Sequence, residues 1–512
     1  MIKRLFFVLF PVIVSLPVFA QQKNAPQTDA DKRKLARLNA LHKHNKAVAE
    51  SDKQWIGLEI AKLTSHEMHG RGYVKNGRDS AGIYILERFK EMKLKPVAAN
   101  GAYAQGFAFP VNTFPGAMRL KMGKKEMTPG EDFIIDAGSP SYKAEDLKIN
   151  RVDLARVHDT AEWAAVVRAF VPDHAYYLRN VPTLCKDVLE IRPGEFSALL
   201  PKGCFIIPQE KLTWTVSRDT IPATVFYVKE DALPKKYKKL SADDSAAYLP
   251  HAHSENIMAC VPGAVKDTFI VFTAHYDHLG MMGDSTVFPG ASDNASGVAM
   301  LLYLARYYTL HHPPHYSVMF IAFAGEEAGL MGSEFYTANP LVPLKQIKFL
   351  TNIDIMGDAT DGITVVNATQ FPHQFELLKE INDVEKYVPA IISRGTAANS
   401  DHYYFTNAGV PSFFIYSDGG QGFYHDVYDK ANTLSLNNVV NVAHLLTDFA
   451  KAIHVADLMG DTTSATDTTH ALMNTPEQPE GGNPGEEKPK MDEPSPTPAE
   501  TPPPADPGKE SK

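Results

Sequence analysis

Residues 269–274 read FIVFTA, residues 298–310 read VAMLLYLARYYTL, and residues 317–324 read SVMFIAFA. The first and third are short apolar runs rich in β-branched and aromatic residues, which predicts strands. The second places its apolar residues at helical spacing. The alternation continues, with AGLMGSEFY (328–336) helical, FLTNIDIMG (349–357) and PSFFIY (411–416) extended, and VVNVAHLLTDFAKAIHV (439–455) a closing helix. Strands that are apolar throughout, set between helices, belong to a mostly parallel sheet covered on both faces. The fold class is α/β, with a mostly parallel central sheet flanked by helices.

Outward from this core, the chain divides by texture. Residues 1–20 combine Lys3 and Arg4, an apolar stretch and small residues ending at Ala20, the pattern of a cleaved secretory signal peptide. Residues 21–104 are expected to be the helical amino-terminal part of the α/β domain, with Ile83, Leu86, Phe89 and Met92 forming a stripe at intervals of three. Residues 105–250 alternate short apolar runs with Gly, Pro and charged turns, which predicts an inserted, smaller, partly β domain. Residues 251–457 carry the main part of the α/β domain. Residues 458–512 are rich in Thr, Glu, Pro and Gly with hardly any large apolar side chain, so this tail is expected to be disordered.

The 512 residues carry a formal net charge of −9, and 44% are hydrophobic, enough to bury a large core. No basic stripe suggests nucleic acid, and no later apolar run is long enough to span a membrane. Three cysteines are too few for a disulfide scaffold. Cys185 and Cys204 are close enough in sequence to pair in an oxidising compartment. Cys260 sits in an apolar run and reads as a buried side chain. A metal, if held, must therefore be held by histidines and carboxylates.

Such residues cluster where strands end, which in an open α/β sheet is where ligands gather. FIVFTA runs into HYDHLG (275–280), SVMFIAFA into Gly325-Glu326-Glu327, FLTNI into Asp354, and PSFFIY into a glycine-rich segment carrying His425. A further loop leads to ASDNASG (291–297) at the start of a helix. His275, Asp293, Glu327, Asp354 and His425 offer nitrogen and oxygen donors suited to zinc. Five ligands exceed the needs of one tetrahedral ion, and paired ions need a bridging carboxylate. Glu326 and Glu327 are adjacent and so point different ways, which lets one bind metal while the other stays free as a base.

In order and spacing, HYDHLG, ASDNASG, GEEAGLMGS, NIDIMGD, SDHYYF (400–405) and YHDVYDKANTL (424–434) resemble the M28 family of zinc aminopeptidases. The resemblance reaches back to SHEMHGRGYVKNGRDSAGIYILERFKEMKLKP (65–96), with its Gly-Arg-Gly element. It implies the phosphorylase/hydrolase-like fold of that family and two Zn2+ per chain. His275 and Asp354 would bind one ion, Glu327 and His425 the other, and Asp293 would bridge them. Glu326 would be the general base, and Asp277 would hold the His275 imidazole in its tautomer. Tyr424 would polarise the scissile carbonyl, and the Asp293–Asn294 peptide would be cis. Asp401 and His402 would shape the site without ligating, and His278 would be a supporting residue or only part of a turn. The inserted region loosely resembles a protease-associated or lid module.

The resulting expectation is an exported, periplasmic or secreted aminopeptidase acting on peptides with a free amino terminus. The same ligands on a peptidase of other end-specificity, a single-zinc glutaminyl cyclase, and a receptor-like binding protein that has lost the metals are the alternatives. His311, His312 and His315 superficially suggest a second metal cluster but follow a helix end, where a solvated loop is expected.

Overall fold

The computed structural model describes residues 48–98, 100–311 and 313–458. The proposed signal peptide, His312 and the tail from 459 onward lie outside the described residues. The chain forms a short unit, 1–52, of which 48–52 are described and helical, and one large unit, 53–512. No helix among the described residues is long and apolar enough to cross a membrane.

Eight strands form the first sheet. In chain order they are β1 (Ala104–Thr113), β2 (Ala247–Val261), β3 (Val265–His275), β4 (Tyr316–Phe323), β5 (Ile347–Asp354), β6 (Gly362–Val366), β7 (Ile391–Ser393) and β8 (Ser412–Asp418). Their order across the sheet is β1-β2-β4-β3-β5-β8-β6-β7. The run β4-β3-β5-β8 is parallel throughout, while β1, β2 and β6 pair antiparallel with their neighbours on the β8 or β4 side.

Side chains alternate between the faces of a strand, and here both faces are covered. Ile270, Phe272 and Ala274 of β3, with Val318, Phe320 and Ala322 of β4, join helices α2 (Gly297–Leu310) and α5 (Val439–Leu458) in one core. The intervening Val271, Met319, Ile321 and Phe323 face Tyr336 of α3 (Met331–Ala338) and Phe405 on the other side. This two-sided burial is why the central strands read as continuous apolar runs. Helices α1 (Gly77–Glu91) and α4 (Pro372–Glu385) complete the covering layers.

The segment read as partly β builds a full second sheet of eight strands, 118–122, 125–127, 133–135, 142–153, 174–179, 204–209, 224–229 and 239–244. Its bounds differ from the expected 105–250. Residues 104–113 and 247–261 instead pair antiparallel with each other in the first sheet, from Ala104 opposite Ile257 to Thr113 opposite Ala247, with one register shift between Phe109 and Val111. Apolar alternation is the same for strands of either sheet, so the change of sheet left no mark in the sequence. The core of the second sheet continues into Leu279, Val427 and the strand residues Met282 and Phe288 of a small hairpin, all on segments that follow strands of the first. The possible Cys185–Cys204 bridge is not made. Both thiols are free and buried, and burial lifts the Cys204 thiol far above its usual range.

Candidate metal centre

The parallel strands of the first sheet deliver their polar residues to one edge. His275 and Asp354 are the last residues of β3 and β5. Glu326 and Glu327 follow β4 in a tight turn in which Gly329 N and Leu330 N both donate to Glu326 O. Asp293 lies in the turn 291–296 that opens α2, and its peptide bond to Asn294 is cis. His425 arrives on the loop after β8 with φ +57°.

These side chains meet. Asp293 sits between the two histidines, with Oδ1 3.3 Å from His275 Nε2 and Oδ2 3.0 Å from His425 Nε2. Asp354 Oδ2 lies 3.2 Å from His275 Nε2, and Glu327 Oε2 lies 3.2 Å from His425 Nε2. Glu326 Oε2 is further from His275 Nε2, at 3.9 Å. Donor atoms of His275, Asp293 and Asp354 form one compact group, and those of His278, Asp293, Glu327 and His425 another.

The protonation of the two rings can be read from their far sides. His275 Nδ1 is 3.2 Å from Asp277 O, and His425 Nδ1 is 2.9 Å from Trp214 O. A carbonyl oxygen only accepts, so both Nδ1 atoms carry the hydrogen. Each Nε2 then presents a lone pair toward carboxylate oxygens, an acceptor facing acceptors. Only a cation between them, a proton or a metal ion, satisfies that arrangement. His425 Nε2 and Asp354 Oδ1 are buried and make no hydrogen bond, which fits a divalent ion better than a local proton network. The nitrogen and carboxylate set is the one zinc accepts.

Electrostatics follow from this crowding. Burial works against charge on His275, but Asp354 and Glu326 outweigh it and hold the imidazole well above its ordinary pKa. Burial also resists ionisation of Glu327, yet His425 and His278 hold its carboxyl down to about 2. Burial, with Glu327, Asp401 and Asp354 close by, pushes Glu326 well above the usual carboxylate range. The environment of Glu326 thus favours accepting a proton, and burial raises Asp354 in the same direction. Burial and the surrounding carboxylates raise the Tyr424 phenol well above 10, so it remains a donor. Its ring stacks on His425 with centroids 3.8 Å apart.

Supporting residues partly match the sequence reading. The Asp277 carboxylate is 3.9 Å from His275 Nδ1, beyond hydrogen-bond reach, so the tautomer is set by the backbone carbonyl instead. The carboxylate accepts from Glu326 N at 3.2 Å and Glu327 N at 3.4 Å, and so orients the turn carrying both glutamates. His278 Nδ1 donates to Glu327 Oε1 at 2.7 Å, which makes it a supporting residue rather than a turn filler. Asp401 is fully buried beside this cluster, and burial lifts its carboxyl to about 7. His402 is buried against Phe414. His311 and His315 are exposed, stacked on Tyr307 and His454, and no second cluster of ligands forms among the described residues.

Three contributors had no role assigned from sequence. Asp429 accepts from Ser292 N and Asp293 N, pinning the turn that carries Asp293. Its place inside YHDVYDKANTL was the available signal. Arg71 is completely buried and donates to Tyr276 O, Leu63 O, Pro289 O and Gly290 O at 2.7–3.0 Å. The glycines beside it explain the Gly-Arg-Gly element, since a Cβ on Gly72 would lie 2.4 Å from Gly280 Cα. Trp214 contributes a backbone carbonyl, which no residue type announces.

Peptidase family M28 matches residues 256–450. Leucine aminopeptidase 1 of Leptosphaeria maculans is 28% identical over 222 residues, 39% of this chain and 56% of that protein. Aminopeptidase YwaD of Bacillus subtilis is 29% identical over 204 residues, 38% of this chain and 43% of that protein. The chain thus spans about half the length of these curated relatives. A zinc aminopeptidase structure from Bacillus subtilis, 19% identical, superimposes with a TM-score of 0.57 over 81% of this chain and 97% of that one, which concerns the fold. Through its segment 256–450, with the ordered set of strand-end residues described above, this chain is similar to peptidase family M28.

Proposed function

We propose that this protein is an exported aminopeptidase that uses two zinc ions to hydrolyse the first peptide bond of substrates with a free amino terminus. The observation that carries this reading is Asp293, whose two oxygens face two different histidines. The aminopeptidase names of the similar proteins support the reaction class. Export rests on the sequence of residues 1–20.

In this reading His275 and Asp354 would hold one ion and Glu327 and His425 the other, with Asp293 available to both. Zinc there would supply Lewis acidity and lower the pKa of a nearby water toward neutrality. Glu326, whose surroundings raise its proton affinity, takes the proton of the attacking water and returns it to the departing amine. Tyr424, held protonated, donates to the oxygen on which negative charge develops. Asp277 fixes the glutamate turn, so that the base and the Glu327 ligand keep their divergent directions.

The test is a panel of aminoacyl-p-nitroanilides, free and N-acetylated, with zinc content measured in parallel. The expected result is cleavage of free substrates only, lost with chelator and restored by zinc. Glu326→Gln should lower kcat by about 10²–10⁴-fold with zinc content unchanged. Cleavage of N-blocked substrates at equal rates would overturn the amino-terminal specificity. Full activity of Glu326→Gln would overturn its role.

A further inference from the structure

The loop 210–218 leaves strand 204–209 of the second sheet and runs along the loops of the first. Lys211 Nζ donates to Gly422 O at 2.8 Å, and Asn112 N of β1 donates to Ser217 O at 2.8 Å. Between these anchors, Trp214 and His425 exchange two hydrogen bonds. Trp214 N donates to His425 O at 3.0 Å, and His425 Nδ1 donates to Trp214 O at 2.9 Å. Trp214 is itself immobilised. It is 5% exposed, its Nε1 donates to Ile135 O at 2.8 Å, and its ring stacks on Phe288 with centroids 4.8 Å apart. His425 has a left-handed backbone, a conformation unfavourable for a non-glycine residue. Its own loop is rich in glycine, with Gly419, Gly420 and Gly422 all at positive φ, so an external hold on His425 is required.

We infer that Trp214 is the positioning residue for His425, which makes the second sheet a working part of the metal centre rather than a separable cover. The Trp214 carbonyl selects the tautomer with hydrogen on Nδ1, and the paired backbone bond fixes the ring so that Nε2 faces Asp293 and Glu327. The His275 half has no such dependence, because its Nδ1 partner, Asp277 O, lies on the same segment two residues on. This inference rests on the two-zinc reading for its consequence but not for its geometry. A histidine ligand that loses its outer partner typically binds metal ~10–100-fold more weakly.

The experiment uses the full chain in two states. In the metal-free chain, kept alkaline enough that its imidazoles are neutral, selective ¹⁵N-histidine labelling and long-range ¹H–¹⁵N correlation report the His425 tautomer, assigned by His425→Gln. In the zinc-loaded chain, chelator competition reports the affinity of each ion. The expected result is an Nδ1–H tautomer for His425 in the unaltered chain, averaged in Trp214→Ala. The ion that His425→Gln abolishes should be held ~10–100-fold more weakly in Trp214→Ala, and the other ion should be held normally. Trp214→Phe, which keeps an aromatic ring but lacks the indole N–H, should be intermediate and guards against a misfolded alanine variant. Trp163→Ala, in the distant core of the same sheet against Phe196, should leave tautomer and affinities unchanged. An unchanged tautomer in folded Trp214→Ala, or an equal effect from Trp163→Ala, overturns the inference. A single ion in the unaltered chain overturns the two-zinc reading alone, since the tautomer measurement stands apart from it.

Discussion

The two eight-stranded sheets share an architecture, since each contains four consecutive parallel strands. They differ at the edges where those strands end. In the first sheet the ends converge on His275, Glu326, Glu327, Asp354 and the loop to His425. In the second they finish at Asp153, Arg179, Gln209 and Lys229, dispersed residues engaged locally. Asp153, for example, accepts from Ala155 N and from the Asn180 amide. A parallel edge offers a place for ligands, but donors that converge with no other partner make it a site. The buried acids differ in the same way. Glu327 has two histidines to hold it ionised, whereas Asp244 of the second sheet is buried with no cation, and burial lifts it to about 7.

The strongest blow to the first edge should come from Arg71→Met. Its guanidinium satisfies four carbonyls from three segments, and each left unpaired and buried costs ~1–3 kcal/mol. Denaturant unfolding should show a loss of about 5 kcal/mol or more. An unchanged stability would mean that the second sheet alone holds these loops in place.

Asp244 sharpens the contrast from the other side. Its folded pKa is raised above the unfolded value near 3.9, so the folded state binds the extra proton between about pH 4 and 7. Stability is therefore full below that window and falls as pH rises through it, by up to ~4 kcal/mol. Asp244→Asn should abolish this dependence, matching the unaltered chain near pH 4 and exceeding it at pH 8, with zinc content unaffected. Parallel stability curves for the two proteins would remove the distinction between the sheets.

The smallest effect is expected at Asp277→Asn. Its carboxylate orients the glutamate turn, and such outer partners typically tune affinity ~10–100-fold. Chelator competition should show weakening of the ion bound by Glu327, while His275, held by the residue 277 carbonyl, keeps its tautomer. Equal weakening of both ions would mean that the carboxylate acts on His275 after all.

Much of the first sheet was legible because burial on both faces leaves continuous apolar strands, a pattern a solvated segment cannot share. The candidate ligands His275, Glu327 and Asp354 were legible for a related reason, since they end or closely follow such strands, whereas Asp293 opens a helix and His425 lies on a loop. The second sheet was legible only as partly β, because several of its strands are short and its longest, 142–153, is exposed or half-buried along its length rather than a continuous apolar run. The transfer of 104–113 and 247–261 to the first sheet was hidden because pairing partners leave no local signature. Asp277 and Trp214 mark the finer limit. Both act on histidines through main-chain oxygens, and a carbonyl is identical in every residue. Arg71 could be seen as a motif, but its carbonyl partners come from residues on either side of it in the chain, the farthest more than 200 positions away.

The ribbon of β1 and β2 has a consequence for how such a molecule could arise. The chain enters the second sheet after Thr113 and returns at Ala247, and these two residues are directly paired. Departure and return therefore lie side by side, and a short turn joining them would close an uninterrupted hairpin. The roughly 130 intervening residues are in that sense a single genetic cassette, acquirable in one event without disturbing the strand order of the host. Once Trp214 within it had become the brace for His425, the reverse event ceased to be neutral: what one insertion could add, one deletion can no longer take away.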